Sequence, residues 1–451
     1  MYKLSIMEPI ITVERETRFT RLVSKRLSPA TMNAIRRAIV SHVPTIGFQE
    51  YIDPEEFDMI NDNFKPTVPL SRERHTVIEN NTLFSIPVLS HRLSRLPVYT
   101  SEETIGLLMP ANEKERVFLV ISDPKDVFKP VCNTEIEDIP ITARSLRPVA
   151  FKQSADGSWT QDKERMTAIS KAIKTIFKLD TLIVSLKYGN RLYAIIEPEI
   201  GIGLDNPRWS PCVQRYRFNR DPEWNTVIML HKTVGEMNLR KQFATIPPTV
   251  CAKLGLPEGS TYDRFMKPYE VELNVIYNGK MDQTEAILTG IDVLKTALNK
   301  FQTVYNDSQT HDGSELEDAV ILDKGLIYKD KRLDLQTIYV PLNTHADLDP
   351  DDRIFTGHTI GNLLASKMLH ILDREIIKDR TELYQQVLIA YKVPHQLIQQ
   401  CLLTIRLPEQ MKEELSKLTK RRGDMSGQDM LLNMAIDELQ SELKECAALL
   451  V

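Results

Sequence analysis

The sequence predicts an α+β fold in which two related domains pair within one chain, with a mostly β domain inserted into the first. Three observations predict it. Two stretches, residues 287 to 305 and 424 to 450, read as long helices whose apolar residues recur at matched spacings of 4, 3, 4, 3 and 4. A strand-then-helix pattern stands on both sides of a polar, acidic stretch at residues 307 to 318. Between residues 51 and 265 the texture changes to short β-rich runs punctuated by Pro and Gly. At 451 residues the chain is also too long for one ordinary core.

Taken in order, residues 10 to 27 set Ile11, Val13, Phe19, Leu22 and Val23 among polar residues, the pattern of a strand pair. Ser28 is a good N-cap, and Pro29 suits a first helical position because its missing N–H is not needed there. Met32, Ile35 and Ile39 form one apolar face, with Arg36 and Arg37 at its edge. Pro44 biases Val43 away from helical angles, so the helix is expected to stop near Ser41 and a strand to follow to Phe48. Asp156-Gly157 marks one hairpin turn, and Gly189-Asn190 marks a second within residues 181 to 196. Residues 269 to 277 alternate Val271, Leu273 and Val275 as a half-buried strand does, and a turn follows at Gly279. The first long helix then carries Ile287, Ile291, Leu294, Leu298, Phe301 and Tyr305. After the polar linker come a strand at residues 336 to 342, a helix within 355 to 372, a strand at 401 to 407, and the closing helix with Leu432, Ile436, Leu439, Leu443, Cys446 and Leu450. Each apolar seam supplies on the order of 10 kcal/mol before entropy, at about 1.5–3 kcal/mol per large side chain buried.

Composition removes several function classes. The hydrophobic fraction of 42% and charged fraction of 26% are globular values, and a net charge of −5 gives no reason to expect a nucleic-acid binder. No run of about 18 apolar residues is present, so no membrane span is expected, and the first ten residues do not read as a signal peptide. Cys132, Cys212, Cys251, Cys401 and Cys446 are scattered, with the closest pair 39 positions apart, which excludes zinc-ligand spacing and fits reduced thiols in a cytosol-like compartment.

Several stretches carry a resemblance. Asn33 to Ile46, N-A-I-R-R-A-I-x-x-x-V-P-T-I, resembles the first helix of the alpha-type assembly subunits of cellular RNA polymerases, where that helix is part of the dimerisation domain. His91, Arg92, Leu93, Leu96 and Pro97 match a second family stretch. Residues 141 to 146, ITARSL, resemble a short family strand, with Ala143 and Ser145 as departures, and Trp209-Ser210-Pro211 is similar to the segment that returns to the first domain. The I-L-x-G-I-D-V-L run after the strand at 269 to 277 resembles the last helix of that domain. Beyond the linker, H-T-I-G-N-L-L from His358, and Tyr391, Val393, Pro394 and His395, resemble the smaller partner, the eleventh subunit of RNA polymerase II. The zinc-binding cysteine cluster of some relatives has no counterpart here.

The resemblance implies a fused subunit like that of large cytoplasmic DNA viruses. Residues 1–50 and 266–308 would form a third-subunit-like dimerisation domain, an α/β sandwich, interrupted by an inserted domain at 51–265. A linker at 309–332 would join it to an eleventh-subunit-like dimerisation domain at 333–451, the two halves packing as an intramolecular pseudo-heterodimer. Residues 226 to 265 have no counterpart and read as an elaboration. The implied function is a non-catalytic platform for assembly of a DNA-dependent RNA polymerase. Its implied partners are the two large catalytic subunits and small polymerase subunits. DNA and RNA are met only through the complex, and no homodimer and no membrane are involved. The implied place is the cytosol, or host cytoplasm and virion for a viral protein. Contacts to other subunits are expected at Asn33, Ile35, Arg36, Arg37, Pro44, His91 and Arg92, and the internal seam at Ile287, Ile291, Leu294, Leu298 and Phe301 against Leu432, Ile436, Leu439 and Leu443.

A search for chemistry finds no phosphate-cradling glycine loop, no H-E-x-x-H and no G-x-S-x-G. The Asp347, Asp349, Asp351 run starts like a calcium loop, but Asp352 stands where Gly is needed and His358 where the bidentate Glu belongs. His358 reads as a capping residue at the start of its helix, and His91 beside Arg92 as a hydrogen-bonding surface residue. No catalytic residue, cofactor or metal is therefore assigned. Two alternatives stay open: a stand-alone scaffold or regulatory protein reusing the alpha-type fold, and a nuclease or nucleotidyltransferase whose carboxylates converge only in three dimensions.

Overall fold

The computed structural model describes residues 9–51, 75–155, 157–219, 248, 251–252, 270–307, 310–311, 328–332, 335–341, 357–377, 386–392, 400–418 and 426–451. The Pro-rich stretch after Tyr51, most of residues 226–265 and of the linker, the Asp347–Asp351 run and Val393, Pro394 and His395 lie outside the described residues. The fold is α+β. Two compact units divide it, one comprising residues 1–39, 214–276 and 287–451, the other residues 40–213 and 277–286. The boundaries between these units fall at 39/40, 213/214, 276/277 and 286/287.

The chain opens with β1 (Thr12–Arg15) and β2 (Phe19–Ser24), an antiparallel pair with Thr12 opposite Val23. Helix α1 (Pro29–His42) follows. Ser28 caps it as its side chain predicts: the Thr31 N–H donates to Ser28 Oγ at 3.0 Å and the Met32 N–H to the Ser28 carbonyl at 3.1 Å. Pro44 opens β3 (Pro44–Phe48), since it cannot donate within a ladder but is accepted at a strand's first residue.

Next come β4 (Val77–Asn80), α2 (Ile86–Ser94), α3 (Glu102–Leu108), β5 (Glu115–Ile121), β6 (Val131–Cys132), β7 (Ile139–Thr142), β8 (Leu146–Gln153), β9 (Trp159–Gln161), α4 (Lys163–Ile176), β10 (Leu182–Leu186), β11 (Arg191–Ile196) and β12 (Pro198–Ile202). Strands β4-β11-β5-β8-β9 form one sheet, with β6 also on β11. Both faces of this sheet are buried, because alternate residues of β5 point opposite ways. Val117, Leu119 and Ile121 join Leu89 and Leu93 of α2 and Ile169 and Ile176 of α4 in one core. Phe118 and Val120 join Val149, Phe151 and Tyr193 in another. The inserted part is therefore not only β: α2, α3 and α4 cover it. Helix α4 was not foreseen from the sequence; Asp162 caps it, accepting the Arg165 N–H at 3.0 Å.

Two local expectations differ from the structure. The 181–196 segment turns at Gly189, φ +77, yet its strands do not pair with each other: β10 pairs with β7 and β11 with β4, β5 and β6. The buried Asn133 is the reason. Its Nδ2 donates to the Leu186 carbonyl at 2.7 Å, its N–H donates to the Asn190 carbonyl at 3.0 Å, and its carbonyl accepts the Gly189 N–H at 2.8 Å. These bonds satisfy the groups a hairpin would use. The ITARSL stretch is likewise not one strand: Ala143–Ser145 is a 3-10 turn between β7 and β8, with the Thr142 N–H donating to Ser145 Oγ at 3.4 Å.

Strand β12 pairs antiparallel with β3, from Pro198 opposite Phe48 to Ile202 opposite Pro44. Trp209 lies on this ribbon, and only glycine permits it: a Cβ built at Gly201 would stand 2.3 Å from Trp209 Cδ2. Thr45 Oγ1 donates to the Trp209 carbonyl at 2.6 Å.

β13 (Cys212–Asn219) and β14 (Glu270–Tyr277) complete a four-stranded sheet in the order β1-β2-β14-β13, and α5 (Gln283–Asp307) follows. Strand β14 runs antiparallel to β2, from Val271 opposite Ser24 to Ile276 opposite Phe19. Gly290 lets α5 approach α1: a Cβ there would lie 2.5 Å from Ile39 Cγ1 and 3.2 Å from the Ile39 Cα.

A second copy of this arrangement follows. It comprises β15 (Thr310–His311), β16 (Tyr328–Arg332), β17 (Leu335–Pro341), α6 (Gly357–Leu372), β18 (Leu388–Lys392), β19 (Gln400–Arg406), α7 (Glu409–Leu418) and α8 (Gly427–Ala448). Its sheet order is β15-β16-β17-β19-β18. Strands β15 and β16 fall inside the segment read as linker, and α7 was not foreseen. Apart from these additions, β16-β17-β19-β18 repeats β1-β2-β14-β13. In each copy a hairpin leads to a helix, and the hairpin's second strand lies antiparallel to the last strand before the long closing helix. The first copy carries residues 43 to 211 between its first helix and its third strand, where the second carries only 373 to 387.

Glu272 of β14 shows what holds the first sheet. It is 1% exposed and accepts from Arg21 Nη2 at 2.9 Å, Arg217 Nη2 at 2.8 Å and Asn274 Nδ2 at 2.7 Å. Burial alone would raise its pKa, but the hydrogen bonds from Arg21, Arg217 and Asn274 outweigh it and hold the carboxyl at about 2. A depressed pKa stabilises the fold above the unfolded value and is lost as pH falls through the folded one. Glu272→Gln is expected to cost on the order of 2 kcal/mol at pH 7, discounted because both arginines are partly exposed. In urea titrations the difference from wild type should shrink from pH 4.5 towards pH 2.

Candidate functional site

Asn33, Arg36 and Arg37 sit three and four apart and share one half-buried face of α1. Arg36 Nε donates to Asn33 Oδ1 at 2.9 Å. Burial, then the neighbouring Arg36, lowers the Arg37 pKa, against a smaller opposing effect of Tyr391. Tyr216 of β13 donates its hydroxyl to the Pro29 carbonyl at 3.1 Å, tying the start of α1 to the sheet. Ile35, expected among the contact residues, is instead 1% exposed. It lies on the opposite, apolar face of the helix and is committed to the core, so it offers nothing to a partner.

Pro44, His91 and Arg92 belong to the other unit. Pro44 is exposed at the start of β3. His91 and Arg92 are adjacent on α2 and face different neighbours. Arg92 sets its guanidinium carbon 5.0 Å from the Phe84 ring centroid and donates to the Leu182 carbonyl at 3.4 Å. A groove of about 270 Å³ opens beside it, lined by Leu83, Phe84, Leu182 and Lys187. His91 enters a polar cluster. Its Nε2 accepts from Arg95 Nε at 2.9 Å, so its Nδ1 carries the proton and donates to Glu50 Oε1 at 2.9 Å. Ser94 Oγ also donates to Glu50 Oε1 at 3.5 Å, and Arg208 Nη2 lies 3.6 Å from the same oxygen. Arg208 Nη1 donates to the Phe48 carbonyl at 3.0 Å, and its guanidinium carbon stands 5.1 Å from the Trp209 ring centroid. Sequence reasoning found His91 but missed Glu50, Arg95 and Arg208. Arg208 had a signal, since it abuts the Trp209-Ser210-Pro211 segment; Glu50 and Arg95 had none.

The two seams lie in one unit. On α5, Ile287, Ile291, Leu294, Leu298 and Phe301 are buried; on α8, so are Leu432, Ile436, Leu439 and Leu443. Polar pairs join the two helices: Gln302 Nε2 donates to Asn433 Oδ1 at 3.0 Å, Gln440 Nε2 to Asn299 Oδ1, and the Tyr305 hydroxyl to Asp429 Oδ1. Partners fall on α8 as they rise on α5, so the helices run antiparallel.

Among the described residues no three His, Cys, Asp or Glu side chains gather as a metal site requires. Cys132 is an exposed free thiol, and Cys212, Cys251 and Cys446 are buried free thiols. His358 is the second residue of α6, and its side chain lies outside the described residues. Among the described residues no helix is long and apolar enough to cross a membrane. Compared with known proteins, the chain matches no protein-family model, and no curated protein is significantly similar to it.

Proposed function

We propose that this chain is the non-catalytic assembly platform of a DNA-dependent RNA polymerase, with third-subunit-like and eleventh-subunit-like halves joined in one polypeptide. The observation that carries the reading is the repeated sheet, β1-β2-β14-β13 and β16-β17-β19-β18, each followed by a long helix bearing a buried seam. A pair of related halves is what the sequence motifs at Asn33–Ile46 and His358–Leu364 imply. The polar pairs between α5 and α8 support an internal pairing of those halves. Joining partners by a covalent link gives an effective concentration on the order of millimolar, which removes a dimerisation step from assembly. The face of α1 around Asn33, Arg36 and Arg37, and the surface around Pro44, His91 and Arg92, would meet the two large catalytic subunits. Small polymerase subunits complete the complex, and nucleic acid is met only through it. The proposed place of action is the cytosol, or host cytoplasm and virion for a viral protein.

Affinity purification of the tagged chain from the cells in which it acts tests this. Two large polymerase subunits are expected in near-stoichiometric amount by mass spectrometry. Repeated recovery of the chain without them would favour the stand-alone scaffold. The isolated chain is expected to polymerise no nucleotides and to scatter light as a monomer.

A further inference from the structure

The groove beside Arg92 is walled by apolar side chains that the fold leaves in water. Leu83 is 86% exposed, Phe84 and Leu182 are exposed as well, and all three line it. Single exposed apolar residues are normal on a protein surface; three around one concavity form a patch of the kind that partners cover. The walls are tied together rather than left loose. Asn80 Nδ2 donates to the Phe84 carbonyl at 2.5 Å and the Thr82 N–H to Asn80 Oδ1 at 2.9 Å, which fixes residues 80–84. On the β10 side the Lys187 N–H donates to Asn190 Oδ1 at 2.8 Å. Asn81 joins the two sides: its Nδ2 donates to the Gly189 carbonyl at 3.2 Å, and its carbonyl accepts from Asn190 Nδ2 at 3.0 Å. A groove held open in this way need not be ordered before it binds.

The charges along the groove have one sign. Arg92 and Lys187 line it, no Asp or Glu among the described residues does, and neither cation forms an ion pair with a described residue. The carboxylates nearest in sequence to the lining residues are engaged elsewhere: Glu79 Oε1 lies 4.0 Å from Arg191 Nη1, and Asp180 Oδ1 lies 3.3 Å from Arg144 Nη2. Arg92 is instead held against the apolar wall, over the Phe84 ring and bonded to the Leu182 carbonyl. At about 270 Å³ the groove falls below the roughly 300–1,000 Å³ of small-molecule sites, a size that suits one or two side chains.

We propose that this groove docks a short acidic segment of a partner protein. A large apolar side chain of that segment sits on Leu83, Phe84 and Leu182, and flanking carboxylates meet Arg92 and Lys187. Charge complementarity decides the occupant: two cations and no carboxylate along the groove select an acidic segment over a neutral or basic one. A single-stranded nucleic acid would also satisfy the cations, but it binds by stacking bases on open aromatic faces. Phe84 is the one aromatic residue lining the groove, and Arg92 already covers one of its faces. The groove adjoins the surface assigned above to the large polymerase subunits. Naming such a subunit as the partner rests on the assembly reading; the groove's selection of an acidic, apolar segment does not.

The test uses the full chain alone and a fluorescein-labelled peptide, Gly-Asp-Asp-Phe-Asp-Leu-Gly, with fluorescence anisotropy as the readout. The peptide is expected to bind saturably, and about tenfold more tightly than two controls, one with Lys in place of each Asp and one with Ser in place of Phe and Leu. Leu83→Ser and Lys187→Glu, both at exposed positions, are each expected to weaken binding several-fold while the melting temperature stays within about 2 °C of wild type. No saturable binding, equal binding of the acidic and lysine peptides, or binding unchanged in both variants overturns the proposal. Tighter binding of a labelled oligouridylate, lost in the same variants, gives the groove to nucleic acid and overturns it as well. So does peptide binding that appears only after the acidic residues 53–64 are replaced by a Gly-Ser linker, which would make this chain's own segment the occupant. None of these readouts involves a polymerase subunit, so they stand or fall separately from the purification experiment.

Discussion

Phe301→Ala is expected to cost about 3–5 kcal/mol of stability, the range for deleting a fully buried aromatic side chain. Phe301 is 0% exposed and stacks on Tyr305, with ring centroids 6.1 Å apart and planes 10° from parallel. It belongs to the α5 seam, and the next turn of that helix is tied to α8 through Gln302 and Tyr305. Little can collapse into the cavity. On one side stands the aromatic neighbour, held by its hydroxyl bond to Asp429; on the other stands Leu298, itself 0% exposed. Urea unfolding followed by circular dichroism should show the midpoint falling with the slope unchanged. The exposed Thr303 on the same helix is the control, and Thr303→Ala should stay within about 0.5 kcal/mol of wild type. A loss below about 1 kcal/mol for Phe301→Ala would mean that the seam bears little of the fold's stability.

Lys367→Met is expected to cost about 3 kcal/mol, for a different reason. The Lys367 side chain, on α6, is 4% exposed, and its Nζ lies 2.7 Å from Glu442 Oε1 and 3.0 Å from Glu438 Oε2, both on α8. The two glutamates are one helical turn apart and repel each other without the cation. Burial would raise the Glu438 pKa, but hydrogen bonds from Arg374 and Lys367 outweigh it and lower it. Removing one member of a buried pair leaves the other charge uncompensated, and the partial exposure of both glutamates keeps the figure at the low end of the usual range. In the variant Glu438 keeps the hydrogen bonds from Arg374 but loses that from Lys367, so its folded-state pKa is lowered less than in the wild type. The penalty is then present above the ordinary carboxylate range and relieved as pH falls through it. Denaturant titrations at pH 7 and pH 4 should therefore show a smaller loss at pH 4. Lys367→Met/Glu442→Gln should recover part of the stability at pH 7. A loss that is the same at both pH values would assign the effect to packing rather than charge.

The course of each prediction reflects which interactions are local. Ser28, Pro29 and Pro44 bracket α1 through bonds and steric limits that reach no further than four residues, so its ends could be read directly. The seams of α5 and α8 were legible for a related reason: a helix has a fixed period, and burial on one side imposes that period on the apolar residues. Helix α4 carried a legible pattern as well, Asp162 before Met166, Ile169, Ile173 and Ile176 three and four apart, although it was not predicted from the sequence. The ITARSL stretch and the 181–196 turn failed because a strand's partner is chosen elsewhere. Asn133, some fifty residues away, takes the hydrogen bonds that a hairpin would have used.

By itself, the sequence determined the α+β class, the ends of α1 and the two matched apolar stripes, because propensity, capping and periodicity act over a few neighbouring residues. The tertiary structure alone decided that Ile35 turns inward, that Arg95, Glu50 and Arg208 gather around His91, and that Lys280 is buried. Those facts depend on which distant backbones come within hydrogen-bonding range, and on the close approaches permitted at Gly201 and Gly290. Such contacts join residues tens to hundreds of positions apart, and no local pattern encodes their distance.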